Sequence, residues 1–432
     1  MQKITSLIIC LLFTIQLIAQ NNGERTVIIK FKKHIDPNQN AEIGQIKNDF
    51  RIELIPLFEE SDLRALAARV PLCRDAVDSL NRFYQIKGCV FDSRLLATLT
   101  AKFKNYVSRM DSYAVGTVTD GSITCNKNNS TGNITNTYIT DMDLTGLDTG
   151  DSAGFSLIES STYPVNPYIN SKRTAMGSSI YIPLNVSRTR PTFNHSDKTL
   201  GVFWAAQSNP YCCTGCSNGI APKGKLRTFF CTNDIDCNPS SSDSNFSISR
   251  ALLRTLLLSQ AGDILLFEFD DSNNIIESQP QIQELIQIAT GCLGIIVIEP
   301  AGNGDRPINI ATDSGAIVVG AAYKDGTNNY FIFPGTNYGN RVDVYSLTNF
   351  KSIVTKQGVC QRYSCTSGAA AVIAAMAVSF QSQYFKRKQK YLTPFQMRDL
   401  FRNNTGGSYK VASTGKYVAV GTLLVNAVNG MR

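Results

Sequence analysis

Residues 358–380 read GVCQRYSCTSGAAAVIAAMAVSF, a run of small apolar residues suited to a core helix, opened by Cys365, Thr366 and Ser367. A serine in the first turn of a buried helix lies beside unpaired backbone amides, a positive end that can hold an oxyanion. It is a weak nucleophile until a base takes its proton, and taken alone it is also an ordinary helix cap. The chain has only two histidines. His34, in KFKKHID, reads as a solvated strand end, which leaves His195, in NHSDKTLGVFWAAQ, as the imidazole available for general base work. A carboxylate must then fix the tautomer of that ring. Asp143 closes TYITDMD and is followed by the turn LTG, and it is preferred to two rivals. Asp148, in LDTG, has the better local turn but no strand directly ahead of it, and Asp120, in VTDG, ranks third. Asn303, in GIIVIEPAGNGD, falls in a tight turn after a buried strand, where its amide can donate to a developing negative oxygen. Turn geometry alone would also favour an Asn there.

The elements that must position these groups follow from periodicity. After a linker rich in Asn, Ser, Thr and Gly, DGSITCNKNNSTGNITN, short strands alternate with helices. TYITDMD, DILLFEF, GIIVIEP and GAIVVGAA read as strands, and ISRALLRTLLLSQAG and QPQIQELIQIATGC as helices. Nearly continuous apolar strands separated by helices indicate an α/β, doubly wound and mostly parallel sheet covered on both faces. Ligands of such sheets sit beyond the carboxyl ends of the strands, where the candidate residues fall. Ahead of the linker, RTVIIKF and LNRFYQIK read as strands, and ESDLRALAARV and SRLLATLTAKFKNYV as helices. They form a small α+β module. The expected organisation is 1–20 signal peptide, 21–115 α+β domain, 116–135 linker and 136–432 main domain.

The opening MQKITSLIICLLFTIQLIAQ has Lys3 ahead of an apolar core and reads as a cleaved secretory signal, so a secreted protein without a membrane anchor in its mature form is expected. No later apolar run is read as spanning length. Twelve cysteines suit an oxidising compartment, and Cys10 falls in the signal, which leaves an odd number. Cys212, Cys213, Cys216, Cys231 and Cys237 crowd one region without a His or second CxxC to complete a zinc site, so disulfides are expected there. Sequons NNST, NIT, NVS, NFS and NNT fit a glycoprotein. The hydrophobic fraction of 43%, the charged fraction of 18% and a net charge of +8 describe an ordinary globular protein. No basic stripe interleaved with aromatics appears, which argues against nucleic-acid binding.

Taken together, the blocks HSDKTLG with GIAPKGKL, IIVIEPAGNGD, SGAIVVGAA, TNYGNRVDVYS, CTSGAAAVIAAMA and LTPFQMRDLF resemble the subtilisin-like serine peptidases over roughly Asn136 to Arg432. The resemblance implies a secreted serine endopeptidase, made as a zymogen, with a subtilisin-like fold. It implies His195 as base, Ser367 as nucleophile, Asn303 as oxyanion donor and Asp143 as orienting acid. By layout the first module resembles an inhibitory, folding-assisting prosegment, a partner beside the peptide or protein substrate. No organic cofactor and no metal site is implied, though structural calcium is common in the family. The sequence departs from the family at Ser196-Asp197-Lys198, where Gly-Thr-His is usual, at Cys365 for Gly and at Ala371 for Pro. The alternative is a pseudopeptidase that binds peptides without cutting them. Cys365 also raises a Cys-His reading, against which a disulfide to Cys360 or a buried thiol is favoured.

Overall fold

The computed structural model describes residues 25–88, 92–114, 146–159, 195–204, 219–231, 248–271, 274–310, 312–324, 329–354, 360–403, 416, 418–419 and 421–431. The proposed signal, the linker, Asp143 with its strand, and Cys212, Cys213, Cys216 and Cys237 lie outside these residues. The chain divides into two units, 1–63 with 78–117, and 64–77 with 118–432.

The smaller unit is a four-stranded antiparallel sheet of β1 (Arg25–Phe31), β2 (Glu53–Pro56), β3 (Phe83–Lys87) and β4 (Val107–Ala114), in the order β2-β3-β1-β4. Alternate residues Val27, Ile29 and Phe31 of β1 are fully buried, as the period of two requires. Around it lie α1 (Ala41–Phe50), capped by the Asn40 side chain on the Ile43 amide, and α4 (Ser93–Phe103), capped by Asp92 on Leu95. Helix α4 stops at Phe103, earlier than its apolar pattern suggests, because Val107 is drawn into the ladder opposite Phe31. Between β2 and β3 run α2 (Glu60–Arg69) and α3 (Arg74–Leu80). Segment 64–77, which the sequence reading gives to the first module, groups with the larger unit. The Arg69 guanidinium donates to the carbonyls of Leu256 and Ser259, and Cys73 is disulfide-bonded to Cys292.

The larger unit is built on β5 (Gly154–Glu159), β6 (Lys225–Cys231), β7 (Ile264–Phe267), β10 (Ile296–Pro300), β11 (Ile317–Lys324), β12 (Tyr330–Ile332) and β13 (Val344–Leu347). A two-residue ladder of β8 (Asp270–Asp271) and β9 (Asn274–Ile275) follows β7. The sheet order is β12-β11-β10-β7-β5-β6, with β13 also on β11, and every pairing but β11·β12 is parallel. Helices α5 (His195–Trp204), α6 (Ile248–Leu258), α7 (Pro280–Ile288), α8 (Cys365–Lys388), α9 (Pro394–Arg402) and α10 (Gly421–Gly430) complete it, with the hairpin β14 (Phe350–Val354) and β15 (Cys360–Tyr363) before α8. This is the doubly wound α/β architecture the sequence predicts. Helix α8 packs on β7, β10, β11 and β13, and its alanines 369–371, 374, 375 and 377 are fully buried. Small side chains let the helix approach the sheet closely. By length and composition α8 could cross a membrane, which the sequence reading missed, yet 94% of its apolar window is buried in this core.

A buried ionic cluster pins the far side of the sheet. Arg341 donates through Nε to Glu277 at 2.5 Å, through Nη1 to Asp343 at 2.8 Å and through Nη2 to the Ala316 carbonyl at 2.9 Å. Asp343 also accepts from the Val318 amide and from Arg402, and Arg398 grips Asp313 with both terminal nitrogens. Burial pushes the Asp313 carboxyl up, but the bonds from Arg398 and the field of Arg341 win and hold it down at about 2. Replacing Arg341 by Leu strands Glu277 as a buried charge and takes one of several partners from Asp343, for an expected loss of about 3–5 kcal/mol, to be read as a lower urea midpoint with unchanged slope.

Candidate functional site

Strand β5 runs parallel to β7 in a register that pairs Ile158 with Phe267, so the next residues, Glu159 and Glu268, end adjacent strands side by side. The Glu268 amide extends the ladder by donating to the Ile158 carbonyl at 3.0 Å. Both carboxyls therefore emerge at the carboxyl edge of the sheet, and both are buried.

His195 opens α5, and its Nδ1 lies 2.8 Å from Oε2 of Glu159, whose side chain is fully buried while the imidazole is 21% exposed. The carboxylate fixes the proton on Nδ1 and leaves Nε2 with its lone pair, the tautomer that a general base needs. Four residues along the same helix face, Thr199 Oγ1 lies 3.1 Å from the same Oε2 and 2.7 Å from the Tyr363 hydroxyl. The one proton of Thr199 can serve Glu159 Oε2 or the His195 carbonyl, also at 3.1 Å, and the short contact with the Tyr363 hydroxyl can run in either direction. The Tyr363 ring stands edge-on to the His195 ring, with centroids 5.2 Å apart and an interplanar angle of 88°. Thus Glu159 holds the ring from one side and the end of β15 packs against it from another.

Tyr363 leads directly into α8. Ser364 is the N-cap residue, and Cys365 takes φ +64°, the left-handed region. A non-glycine residue held there costs about 1–3 kcal/mol, and this is the position at which the sequence departs from the family's Gly. Cys365 keeps the conformation with its carbonyl held by Thr348 Oγ1 at 2.8 Å and its sulfur in a disulfide. That bond removes the thiolate a Cys-His reading requires. Ser367 follows in the first turn, half-buried.

Asn303 lies in the loop after β10. Its Oδ1 accepts from the Thr366 amide at 3.1 Å and from Thr366 Oγ1 at 2.9 Å. A backbone amide can only donate, so the atom facing it is the oxygen, and Nδ2 is left as an uncommitted donor next to the residue before Ser367. The loop itself is fixed by fully buried Asn337, which donates to the Ala301 carbonyl and accepts from the amides of Gly304 and Arg306. Gly302, at φ +87°, allows this approach: a Cβ there would lie 2.6 Å from Asn337 Nδ2. The TNYGN block earns its place by bracing the donor loop.

The structure thus brings together His195, Asn303 and the Ser367 turn, through Glu159–His195, His195–Tyr363 and Thr366–Asn303 contacts. The carboxylate found on His195 Nδ1 is Glu159, a residue the sequence reading does not name. Asp148 is bound by Lys386 at 2.8 Å, and Asp143 lies outside the described residues. A signal was present, since AGFSLIE is a short apolar run ending in a carboxylate, 36 residues before His195. Ser156 interrupts that run, and the neighbouring TG turns follow Asp residues. Ser196 and Asp197, two of the departures after His195, are buried in α5, and the ring's hydrogen bonding is confined to Glu159. The ring and the Ser367 hydroxyl share no hydrogen bond, a contact that is often long in ligand-free sites. Among the described residues no three His, Cys, Asp or Glu side chains gather as a metal site.

No family model and no curated protein matches the sequence. Among solved structures the chain is similar to fervidolysin from Fervidobacterium pennivorans, a keratinolytic enzyme related to subtilisin, at 11% identity and a TM-score of 0.53, over 93% of this chain and 61% of that one. It is also similar to the epidermin leader peptide processing serine protease of Staphylococcus aureus, at 14% identity and a TM-score of 0.51, over 95% of this chain and all of that one. At such identities the likeness concerns fold: the chain has the fold of subtilisin-like serine proteases.

The bridging hydroxyl offers a direct check on this site. Thr199→Val leaves the Tyr363 hydroxyl and Glu159 each short of a buried partner, at an expected cost of about 1–3 kcal/mol, whereas Thr199→Ser keeps the bridge and most of the stability. Paired denaturant titrations separate the two.

Proposed function

We propose that this chain is a serine endopeptidase in which Glu159, His195 and Ser367 form the catalytic triad and Asn303 donates to the oxyanion. The observation that carries this reading is the His195 ring, held through Nδ1 by a buried Glu159 with Nε2 left open, in a fold whose solved relatives are serine proteases. Ser367 Oγ attacks the scissile carbonyl carbon while its proton passes to His195 Nε2. The negative charge then on the carbonyl oxygen meets Asn303 Nδ2 and the amides at the start of α8. As the C–N bond breaks, His195 returns the proton to the leaving amine, and water repeats the sequence to release the acyl group. Glu159 orients the ring and stabilises its charged form; Glu in place of Asp adds one methylene to the reach from β5.

The further parts of the reading rest on the sequence. The chain is made with a secretory signal and as a zymogen, with the module 21–115 as prosegment and the main domain 136–432 as peptidase. Substrates are peptides or proteins, and no organic cofactor takes part in the steps above. The mature enzyme is extracellular, glycosylated and disulfide-bonded. A second reading, a peptide-binding protein that does not cleave, is favoured by one observation, that no hydrogen bond yet joins Ser367 to His195.

Wild type and Ser367→Ala, expressed side by side, reduced to open the Cys73–Cys292 bond and weighed by mass spectrometry, decide between the two. Cleavage near residues 110–125 and labelling by a fluorophosphonate are expected of the wild type only; full-length, unlabelled product from both would leave the binding reading. Glu159→Gln removes the tautomer control and is expected to lower kcat on the order of 10⁴-fold with the fold intact by circular dichroism.

A further inference from the structure

Glu268 has no part in the mechanism above, yet it lies inside the site. It follows β7 directly, is almost fully buried, and stands beside Glu159 by the register of two adjacent parallel strands. Neither of its carboxyl oxygens makes a hydrogen bond of good geometry, although the hydroxyls of Ser367 and Tyr363 are close enough to influence it. The groups that act on it come from three directions: Glu159 from β5, Tyr363 from β15 and Ser367 from α8. None is a cation, and His195 faces Glu159.

We propose that Glu268 is a positioning residue for Ser367, working as a neutral carboxylic acid paired with the charged Glu159, and this rests on the serine peptidase reading. Two carboxylates ending neighbouring strands in a buried pocket cannot both keep a charge. Glu159 has the His195 N–H and the Thr199 hydroxyl to stabilise an anion. Glu268 has no cation and no backbone amide on its oxygens, so the shared proton resides there. Burial first, and then the Glu159 charge, push the Glu268 carboxyl well up, against the smaller opposing influence of the Ser367 and Tyr363 hydroxyls. The neutral acid has one O–H to give. Directed at Ser367 Oγ, it orients the lone pair and hydroxyl proton of the nucleophile without placing a second negative charge beside the developing oxyanion. When pH rises far enough to ionise Glu268, that charge appears next to the nucleophile and the reaction slows.

Infrared difference spectra of the full chain test the proton without reference to activity. A buried carboxylic acid C=O band is expected at neutral pH, absent in Glu268→Gln and shifted in Ser367→Ala, because the carbonyl frequency reports the hydrogen bond. No band, a band that survives in Glu268→Gln, or one indifferent to Ser367→Ala overturns the proposal. The second arm follows the pH dependence of Ser367 labelling by a fluorophosphonate. Wild type should lose rate on the alkaline side, Glu268→Gln should label more slowly but without that loss, and Glu268→Ala should fall by about 100-fold at all pH values. An alkaline limb identical in wild type and Glu268→Gln rejects the role. If wild type never labels, the peptidase reading fails, while the infrared arm still decides the state of Glu268 and its contact with Ser367.

Discussion

Parallel register between β5 and β7 governs what can meet at this site. With Ile158 paired to Phe267, the residues just past them share one edge of the sheet. A slip of one residue would turn Glu159 to the opposite face and remove the carboxylate from the imidazole. The register is specified by burial on both sides of the strand: Phe155 stacks on Phe203 at 4.2 Å and packs edge-on to Trp204, both from α5. The same contacts that seat α5 on the sheet therefore set where His195 begins. Core packing and site geometry are one constraint here.

The Asn303 side of the site is organised by a different principle. Asn303 would be a free side chain on an exposed loop were it not for Thr366 and Asn337. Thr366 commits the amide oxygen, and Asn337 commits the backbone of the loop. A donor whose orientation is fixed before charge develops needs no reorganisation when it does. The left-handed Cys365 belongs to the same arrangement, since it turns the chain sharply from β15 into α8 and lets Thr366 face the loop.

How much of this could be read from sequence differs by element. Ser367, His195 and Asn303 stand out in the sequence because each is a distinctive residue at the start of a helix or the end of a strand, and histidine is scarce. The long alternating and apolar runs of β1, β7, β10 and β11 were legible for the same reason. Glu159 does not stand out, because β5 is six residues long, is broken by Ser156, and ends in Glu where the neighbouring turns carry Asp. Helix α1 was missed since only Ile43 and Ile46 of its ten residues are buried, leaving little apolar periodicity to see. Glu268 has no periodicity or turn to mark it in the sequence; only the sheet register places it beside a second carboxylate. Side chains whose meaning lies in a cross-strand neighbour have no local signature.

The Cys73–Cys292 bond closes a loop of 219 positions, within which fall Glu159, His195 and the whole linker. A backbone cut anywhere in that interval yields two polypeptides that remain one molecule. Under non-reducing electrophoresis such a product migrates as intact chain, and dilution cannot separate its halves. Only a thiol reductant lets the amino-terminal piece depart, so the redox state of the surroundings, rather than affinity, governs when the halves part company.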